Sequence, residues 1–294
     1  MQVVEKIRAI AKRYDIKRKW FRFSRSPLSV VGLVVVAVVI FLALAAPFIT
    51  PYPRQAGLQT NLRDKFLPPS SKNLFGTDEL GRDVFTRTIF GFQYSLMMAG
   101  VVLLLVVPPG VVLGLIARYY RGGWVDMAIM RISDVFIAVP PLVLALSIAS
   151  VLTPSAFNAM MAVSLMWWPW YTRLTYNATS SVRNEYFVQA SEVMGENSFR
   201  IMFSEILPNC LGSILTKITL DVGWVILLGS ALSFVGLGAQ PPTPDLGTMV
   251  ANGSLYLPGQ WWISMFPAMA IVVVILGFNL LGDGIRDIFV EETR

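Results

Sequence analysis

Long apolar runs are the feature that most constrains how this chain of 294 residues can fold. A helix needs roughly 20 apolar residues to cross a bilayer, and about six runs of that kind are present. They lie near 28–49, 93–117, 133–153, 158–178, 210–236 and 262–282. The third is expected to be broken at Pro140–Pro141. These runs do not alternate between apolar and polar residues as barrel strands do. Only 14% of the residues are charged, against roughly 25% in soluble domains. We therefore predict an all-α membrane protein with six transmembrane helices.

Basic residues ahead of the first apolar run set the predicted orientation. Residues 1–27 hold nine Lys and Arg against two acidic residues, and the positive-inside rule then places this arm in the cytoplasm. Apolar residues recur in the arm at helical spacing, which predicts an amphipathic helix on anionic lipid. Nucleic-acid binding is the alternative, and the adjoining span disfavours it. The transmembrane domain is predicted over 28–290, with segment 50–92 outside and the tail 291–294 in the cytoplasm.

Missing residue types exclude several classes of chemistry. The chain has no histidine and a single cysteine, Cys210, so an internal disulfide, a His-ligated zinc and histidine-based catalysis are excluded. It also lacks a GxxxxGK[ST] phosphate loop. We therefore expect no ATPase site, cofactor or metal on this chain.

The outer segment 50–92 is too long for a plain connector. Its second half predicts a short amphipathic helix capped by Thr77 or Asp78, with Phe85, Ile89 and Phe92 on one face. This helix is expected either to lie on the membrane surface near the pore mouth or to brace the second span.

A polar insert at 184–209 separates two apolar runs. Asn184 or Glu185 is expected to start a helix, Gly195 to form a turn, and Ser198 to cap a second helix that runs to Leu207. Pro208 ends that helix or begins the next span. The insert is either a docking element on the cytoplasmic face or an ordinary loop with two amphipathic helices. As a docking element it would use Val193, Met194 and Phe199 as apolar anchors.

Ionisable residues near the spans are candidates for a transport pathway, although their spacing also allows mutual neutralisation. Lys217 and Asp221 form an i,i+4 pair near the inner end of span five, and Asp283 and Arg286 an i,i+3 pair. Interfacial pairing is expected for Asp126, Arg131 and Asp134. The tryptophans of span four (Trp167, Trp168 and Trp170) predict an interface belt rather than a substrate cage.

The insert resembles the cytoplasmic coupling loop of the permease subunits of ABC importers. In that pattern Glu-Ala-Ala is followed by three residues, glycine, nine residues, two further positions and Leu-Pro. Here Gln189 replaces the glutamate, Ser191 the second alanine, and Glu205 a usual Ile or His. The resemblance assigns coupling to the ATPase to Gln189, Ala190, Ser191, Glu192, Met194, Gly195, Phe199, Leu207 and Pro208.

Four further segments are similar to one subfamily, the second membrane subunit of dipeptide, oligopeptide and nickel importers. They are 75–84, 122–140, 232–244 and 277–287, in order and at the expected spacing. Asn73 stands where histidine is common, and Leu246 where tryptophan is usual. The outer motif comprises Gly76, Thr77, Asp78, Gly81, Arg82 and Asp83.

This resemblance implies a type I ABC importer permease fold with a cytoplasmic coupling helix, in a bacterial or archaeal plasma membrane. It also implies a heterodimer with a paralogous permease and two ATPase subunits that bind ATP and Mg. An extracytoplasmic solute-binding protein would deliver peptide, and transport would proceed by alternating access.

Other functions remain open on the sequence. They are import of nickel or another small solute, a secondary transporter or channel, and an intramembrane hydrolase. For the hydrolase, Lys217 and Asp221 lack a matched nucleophile.

Overall fold

The computed structural model describes residues 20–290. Within that range the secondary structure is helical, with one isolated bridge between Thr77 and Asp83 and no strand. The helices are α1 (Pro27–Ile49), α2 (Val84–Tyr119), α3 (Trp124–Ile137), α4 (Pro141–Val151), α5 (Ala156–Val182), α6 (Tyr186–Val193), α7 (Leu207–Phe234), α8 (Leu246–Ser254) and α9 (Trp262–Val290). The predicted helix in the basic arm lies largely, and the tail 291–294 wholly, outside the described residues.

The all-α fold class is confirmed, but the count of six spans is not. Among residues 20–290, four helical stretches are long and apolar enough to cross a membrane: α1, α2, Ser198–Phe234 and α9. Helices α3 and α4 make a fifth only if they are taken together as one bent span. Helix α5 has 27 residues and is therefore about 40 Å long, but polar residues such as Asn158, Arg173 and Asn177 make it less apolar than the others.

The third span is broken at the proline pair, as expected. Helix α3 ends at Ile137 and α4 begins at Pro141, with a bend of 89° between them. Pro140 has an extended backbone (φ −53°, ψ 131°), because a residue that precedes proline is driven away from the helical region. Helix α4 has 11 residues and spans about 16 Å, roughly half of a bilayer core. Residues 133–153 therefore do not form one straight helix, in agreement with the predicted break.

The predicted outer helix and the second span are one helix. Helix α2 runs for 36 residues from Val84, and Asp83 caps it by accepting a hydrogen bond at Oδ2 from Thr86 N at 2.7 Å. The caps predicted at Thr77 and Asp78 are wrong, because both residues lie in the preceding loop. Phe85, Ile89 and Phe92 are partly or fully buried, but the prediction of an amphipathic helix is wrong, because the polar residues Thr86, Arg87 and Thr88 are buried as well.

Small residues let the central helices approach closely, as is common between membrane helices. On α2, a Cβ added to Gly110 would lie 2.6 Å from Tyr171 Cβ of α5, and one added to Gly114 would lie 2.3 Å from Thr172 O. Helix α1 packs on α9 in the same way, since a Cβ on Gly32 would lie 2.5 Å from Leu281 N. Helix α2 thus lies at the centre of the bundle, against α5 and α7.

Loops and short helices gather at two opposite ends of the bundle. At one end, residues 50–83 and α8 cover the ends of α1, α2, α7 and α9, and we call residues 50–83 the cap segment. Trp262 at the start of α9 donates a hydrogen bond to the cap segment, at Thr77 O (3.2 Å). At the other end lie the turn after α2, the end of α5, and α6.

Candidate functional site

Helix α6 ends in a glycine turn at the position that the sequence predicts. It begins after Glu185, one of the two predicted starts, and ends at Val193. Gly195 has φ +77°, Gly195 N donates to Glu192 O at 3.0 Å, and Glu196 N donates to Ser191 O at 3.1 Å. This left-handed glycine and its two backbone bonds form a Schellman motif, which ends the helix and turns the chain.

The second helix of the insert differs from the expectation at both ends. Its cap is Asn197, whose Oδ1 accepts a hydrogen bond from Phe199 N at 2.9 Å, rather than Ser198. It also does not end at Leu207, because Ser198–Arg200 continues through a π-helical turn, Ile201–Ile206, into α7. Pro208 lies in the first turn of α7, where a missing N–H costs little. The helical stretch Ser198–Phe234 therefore continues through Pro208, and neither alternative, an end of the second helix or the start of the next span, is correct.

The predicted apolar anchors are exposed around the glycine turn. Val193 is 89%, Met194 72% and Phe199 64% exposed, and a Cβ added to Gly195 would meet nothing within 4 Å. We call residues 189–199 the α6 knuckle. Of the other predicted coupling residues, Gln189, Ala190, Glu192 and Pro208 are exposed, Leu207 is half-buried, and Ser191 is buried. Val188 is fully buried and packs α6 against the bundle.

An internal ion pair holds the α6 knuckle to the bundle. The Arg183 guanidinium at the end of α5 donates to Glu192 Oε1 and also lies 4.8 Å from the centre of the Tyr119 ring at the end of α2. The Tyr119 hydroxyl is 3.5 Å from the same Glu192 oxygen. Glu192 is thus paired within its own chain. Sequence reasoning missed Arg183, because its partner lies nine residues away across a turn.

The outer motif is a buried charge network in the cap segment. Arg82 Nε donates to Asp78 Oδ2 at 2.7 Å, and Arg87 Nε lies 3.8 Å from the same oxygen. The other carboxylate oxygen, Asp78 Oδ1, accepts from the backbone N–H groups of Leu80 and Arg82. The side chains of Asp78, Arg82 and Arg87 are each about 95% buried. A buried carboxylate with two cations and two backbone donors stabilises a loop, which favours the brace over a free surface helix. Arg87 lies outside the predicted motif.

Two glycines of the motif make close backbone approaches. Gly76 and Gly81 have φ of +72° and +69°. A Cβ on Gly81 would lie 1.8 Å from Asn61 O, and one on Gly76 would lie 2.6 Å from Leu67 O. Only glycine fits both restrictions. Asn73, which stands where the subfamily often has histidine, donates from Nδ2 to Asp83 Oδ1 at 2.8 Å.

Helix α8 closes the network from the opposite side. Asp245 caps it by accepting hydrogen bonds from Thr248 N (2.8 Å) and Thr248 Oγ1 (2.9 Å). Burial raises the pKa of the Asp245 carboxyl, and these hydrogen bonds partly offset that rise. Arg87 donates to the carbonyl oxygen of Ala56 at 3.2 Å. The cap segment is therefore a folded lid on the bundle end.

A second charge cluster lies halfway along the bundle. Lys217 Nζ donates to Asp221 Oδ1 at 2.7 Å, as the i,i+4 spacing predicts, and Trp167 Nε1 of α5 donates to Asp221 Oδ2 at 2.8 Å. Asp221 is fully buried. It lies about 21 Å from the start of α7 and about 20 Å from its end, so placing it near the inner end of span five is wrong. Trp167 is also buried, which corrects its assignment to an interface belt.

The remaining predicted charges lie near the α6 end. Arg173 of α5 donates to Asp134 Oδ1, Arg131 Nη1 is 4.0 Å from Asp134 Oδ2, and Gly122 N donates to Asp126 Oδ2 at 2.9 Å. Gly122, Asp126, Arg131, Asp134 and Tyr176 border a cavity of about 370 Å³. The predicted Asp283–Arg286 pair is not formed within 4.0 Å in the part of the chain that the structure describes; both side chains are exposed.

The sequence matches two protein-family models and is similar to known transport proteins. Residues 110–294 match the family model "Binding-protein-dependent transport system inner membrane component", and residues 16–69 match "N-terminal TM domain of oligopeptide transport permease C". The dipeptide transport system permease protein DppC of Escherichia coli K12 is 42% identical, over 91% of this chain and 90% of the relative. The DppC of Alkalihalophilus pseudofirmus is 38% identical, over 90% and 86%.

A solved structure shows the same fold. The inward-facing MetNI methionine ABC transporter superposes with a TM-score of 0.58 at 17% identity, covering 69% of this chain and 97% of that chain. A helical bundle with an exposed knuckle at one end is thus the fold of an ABC importer permease, a multi-pass subunit of the inner membrane. The chain belongs to the family of binding-protein-dependent transport system inner membrane components.

Proposed function

We propose that the chain is one half of the translocation pathway of a peptide importer, and that the α6 knuckle couples it to a separate ATPase. The observation that carries the coupling role is the group of exposed apolar side chains around Gly195, which nothing within residues 20–290 covers. Exposed apolar anchors beside a polar rim are typical of a protein-docking surface. The dipeptide substrates of the relatives support peptide as the cargo.

The proposed assembly follows the subfamily resemblance. A paralogous permease completes the pathway, two ATPase subunits bind ATP and Mg at the α6 end, and a solute-binding protein docks at the cap end. ATP hydrolysis takes place on the partner chains, and alternating access carries the peptide across. Both termini, and the coupling loop 184–209, lie in the cytoplasm, and the cap segment and α8 lie outside.

Replacing Gly195 by aspartate tests the coupling role. A non-glycine residue at φ +77° costs roughly 1–2 kcal/mol, and the new side chain would add bulk and charge at the docking surface. We expect Gly195→Asp to reach the membrane at wild-type levels, to retain less ATPase on purification, and to lose most substrate-stimulated ATP hydrolysis and dipeptide uptake.

Gly122→Asp is the matched control. Gly122 lies at the same end of the bundle, has φ +83°, and likewise has nothing within 4 Å of an added Cβ. The backbone cost is therefore the same at both sites, and only Gly195 lies in the proposed docking surface. Equal ATPase retention by the two variants and the wild type would refute the coupling role. Absence of dipeptide uptake by the wild-type complex would refute the peptide cargo.

A further inference from the structure

The cluster at the middle of the bundle leaves an ammonium group with unused donors. Lys217 carries three N–H donors, and Asp221 accepts from one of them. Within residues 20–290 no second acceptor is bonded to Lys217 Nζ. The Lys217 side chain is 26% exposed, whereas Asp221 is fully buried. A molecule that reaches this cluster therefore meets the cation and not the carboxylate.

The surroundings of Lys217 fix its position. Its Nζ lies 5.4 Å from the centre of the Trp167 ring and 5.9 Å from that of Tyr171, which is the range of cation–π attraction. Trp167 also orients Asp221 through its N–H. The Tyr171 hydroxyl is buried and makes no hydrogen bond of good geometry within the described residues. The cation is thus held by two aromatic rings and one carboxylate, in a cluster that still has polar groups to satisfy.

The depth of the cluster indicates what its open side faces. Asp221 lies at the middle of α7, and Trp167 lies about 17 Å from one end of α5 and about 22 Å from the other. An ammonium at that depth is costly against lipid, and such residues face a bundle interior or an aqueous path. Ser213, one turn earlier on the same side of α7, is exposed too.

We propose that Lys217 binds the carboxylate of the peptide while it crosses the membrane, with Asp221 and Trp167 as positioning residues. This inference rests on the proposed function. A peptide that leaves water needs a counter-charge for its carboxylate, and the free donors of Lys217 supply it through charge-assisted hydrogen bonds. Asp221 neutralises the charge of Lys217 when no peptide is bound. The peptide carboxylate therefore gains only part of the attraction of a free ammonium, which keeps its binding weak enough for release.

Equilibrium dialysis of the purified complex tests this proposal without the solute-binding protein, whose own preference would otherwise dominate. The probes are labelled Ala-Ala and its C-terminal amide. We expect the wild-type complex to bind Ala-Ala more tightly than the amide. Lys217→Gln should weaken Ala-Ala binding about ten-fold or more, as is typical when a hydrogen bond to a charged group is lost, and should leave amide binding unchanged.

Two further variants keep the test decisive. Lys217→Gln/Asp221→Asn removes both charges, so that no unpaired buried charge remains, and it should show the same loss of Ala-Ala binding. Lys72→Gln removes an exposed lysine of the cap segment and should behave as wild type.

Three results would overturn the proposal. One is that the wild-type complex binds Ala-Ala and its C-terminal amide equally tightly, or that it takes up dipeptide in cells but binds neither probe in dialysis. Another is that the lysine variants lose the paralogous permease on purification, because Lys217 would then face that subunit. A third is that the variants bind Ala-Ala as the wild type does. If the wild type takes up no dipeptide at all, the proposed function itself fails, and the two failures are thus distinguishable.

Discussion

At the scale of single residues, glycine occupies positions where the chain turns with positive φ, but the space around these glycines differs. Gly81 lies against the backbone of Asn61, whereas Gly122 and Gly195 face open space. At Gly81 the absence of a side chain allows the cap segment to pack closely. At Gly122 and Gly195 only the positive φ restricts the residue type, unless a partner subunit lies against them.

This difference predicts unequal effects of the same substitution. In Gly81→Ala the new Cβ would lie 1.8 Å from Asn61 O, so the cap segment must shift. We expect a clear loss of folded subunit and a lower melting temperature in detergent. Gly122→Ala should cost only the left-handed penalty of roughly 1–2 kcal/mol. Equal melting temperatures for the two variants would contradict the close approach of Gly81 to Asn61.

At the scale of elements, α6 is fastened at both ends, by the buried Val188 and by the Arg183–Glu192 pair. Because Arg183 lies at the end of α5 and also stacks on Tyr119 of α2, a chain of contacts joins the α6 knuckle to two central helices. We call Arg183, Glu192 and Tyr119 the clamp. It joins the proposed docking surface to α5, the helix that contains Trp167.

Exchanging the two charges of the clamp should show whether it transmits the motion. We expect Glu192→Arg to lower substrate-stimulated ATP hydrolysis, because two cations would then face each other. The double variant Arg183→Glu/Glu192→Arg should recover much of that activity. The control is Arg131→Glu, which also sets two like charges against each other, at Asp134; the Arg131 side chain is 80% exposed, lies outside the α6 knuckle, and contributes little. No recovery in the double variant would indicate that Glu192 acts on another chain.

The sequence predicts elements well where the pattern is local. The start of α6, the turn at Gly195, the break at Pro140–Pro141 and the Lys217–Asp221 pair all follow from spacing within a few residues. The cap of α2 was misplaced because three acidic residues, Asp78, Glu79 and Asp83, compete over six positions. Only tertiary contacts show that Asp78 is used by Arg82. The partners Arg183 and Trp167 were missed for the same reason, since their contacts join separate helices.

At the scale of the whole molecule, the two ends of the bundle differ in kind. The cap end is a folded lid with buried charges, and the α6 end exposes apolar side chains and a cavity. The basic arm predicts that the α6 end is cytoplasmic.

Cysteine labelling tests this orientation in intact cells. Gly253, near the end of α8, is a poor position for a new cysteine, because its Cβ would lie 2.5 Å from Ser264 N. Leu255 is 79% exposed at the cap end, and Arg121 is exposed at the α6 end. With buried Cys210 left in place, a membrane-impermeant thiol reagent should label Leu255→Cys in intact cells and Arg121→Cys only after permeabilisation. The reverse pattern would invert the topology.

The lid at the cap end also has a consequence for biosynthesis. Thr77 receives its hydrogen bond from Trp262, which is synthesised 185 residues later. At about 5–20 residues per second, the cap segment waits about ten to forty seconds for that contact. During this interval its charged residues lack the cover that α8 and α9 later provide. A subunit whose last span fails to insert therefore keeps a lid that lacks its contact with Trp262.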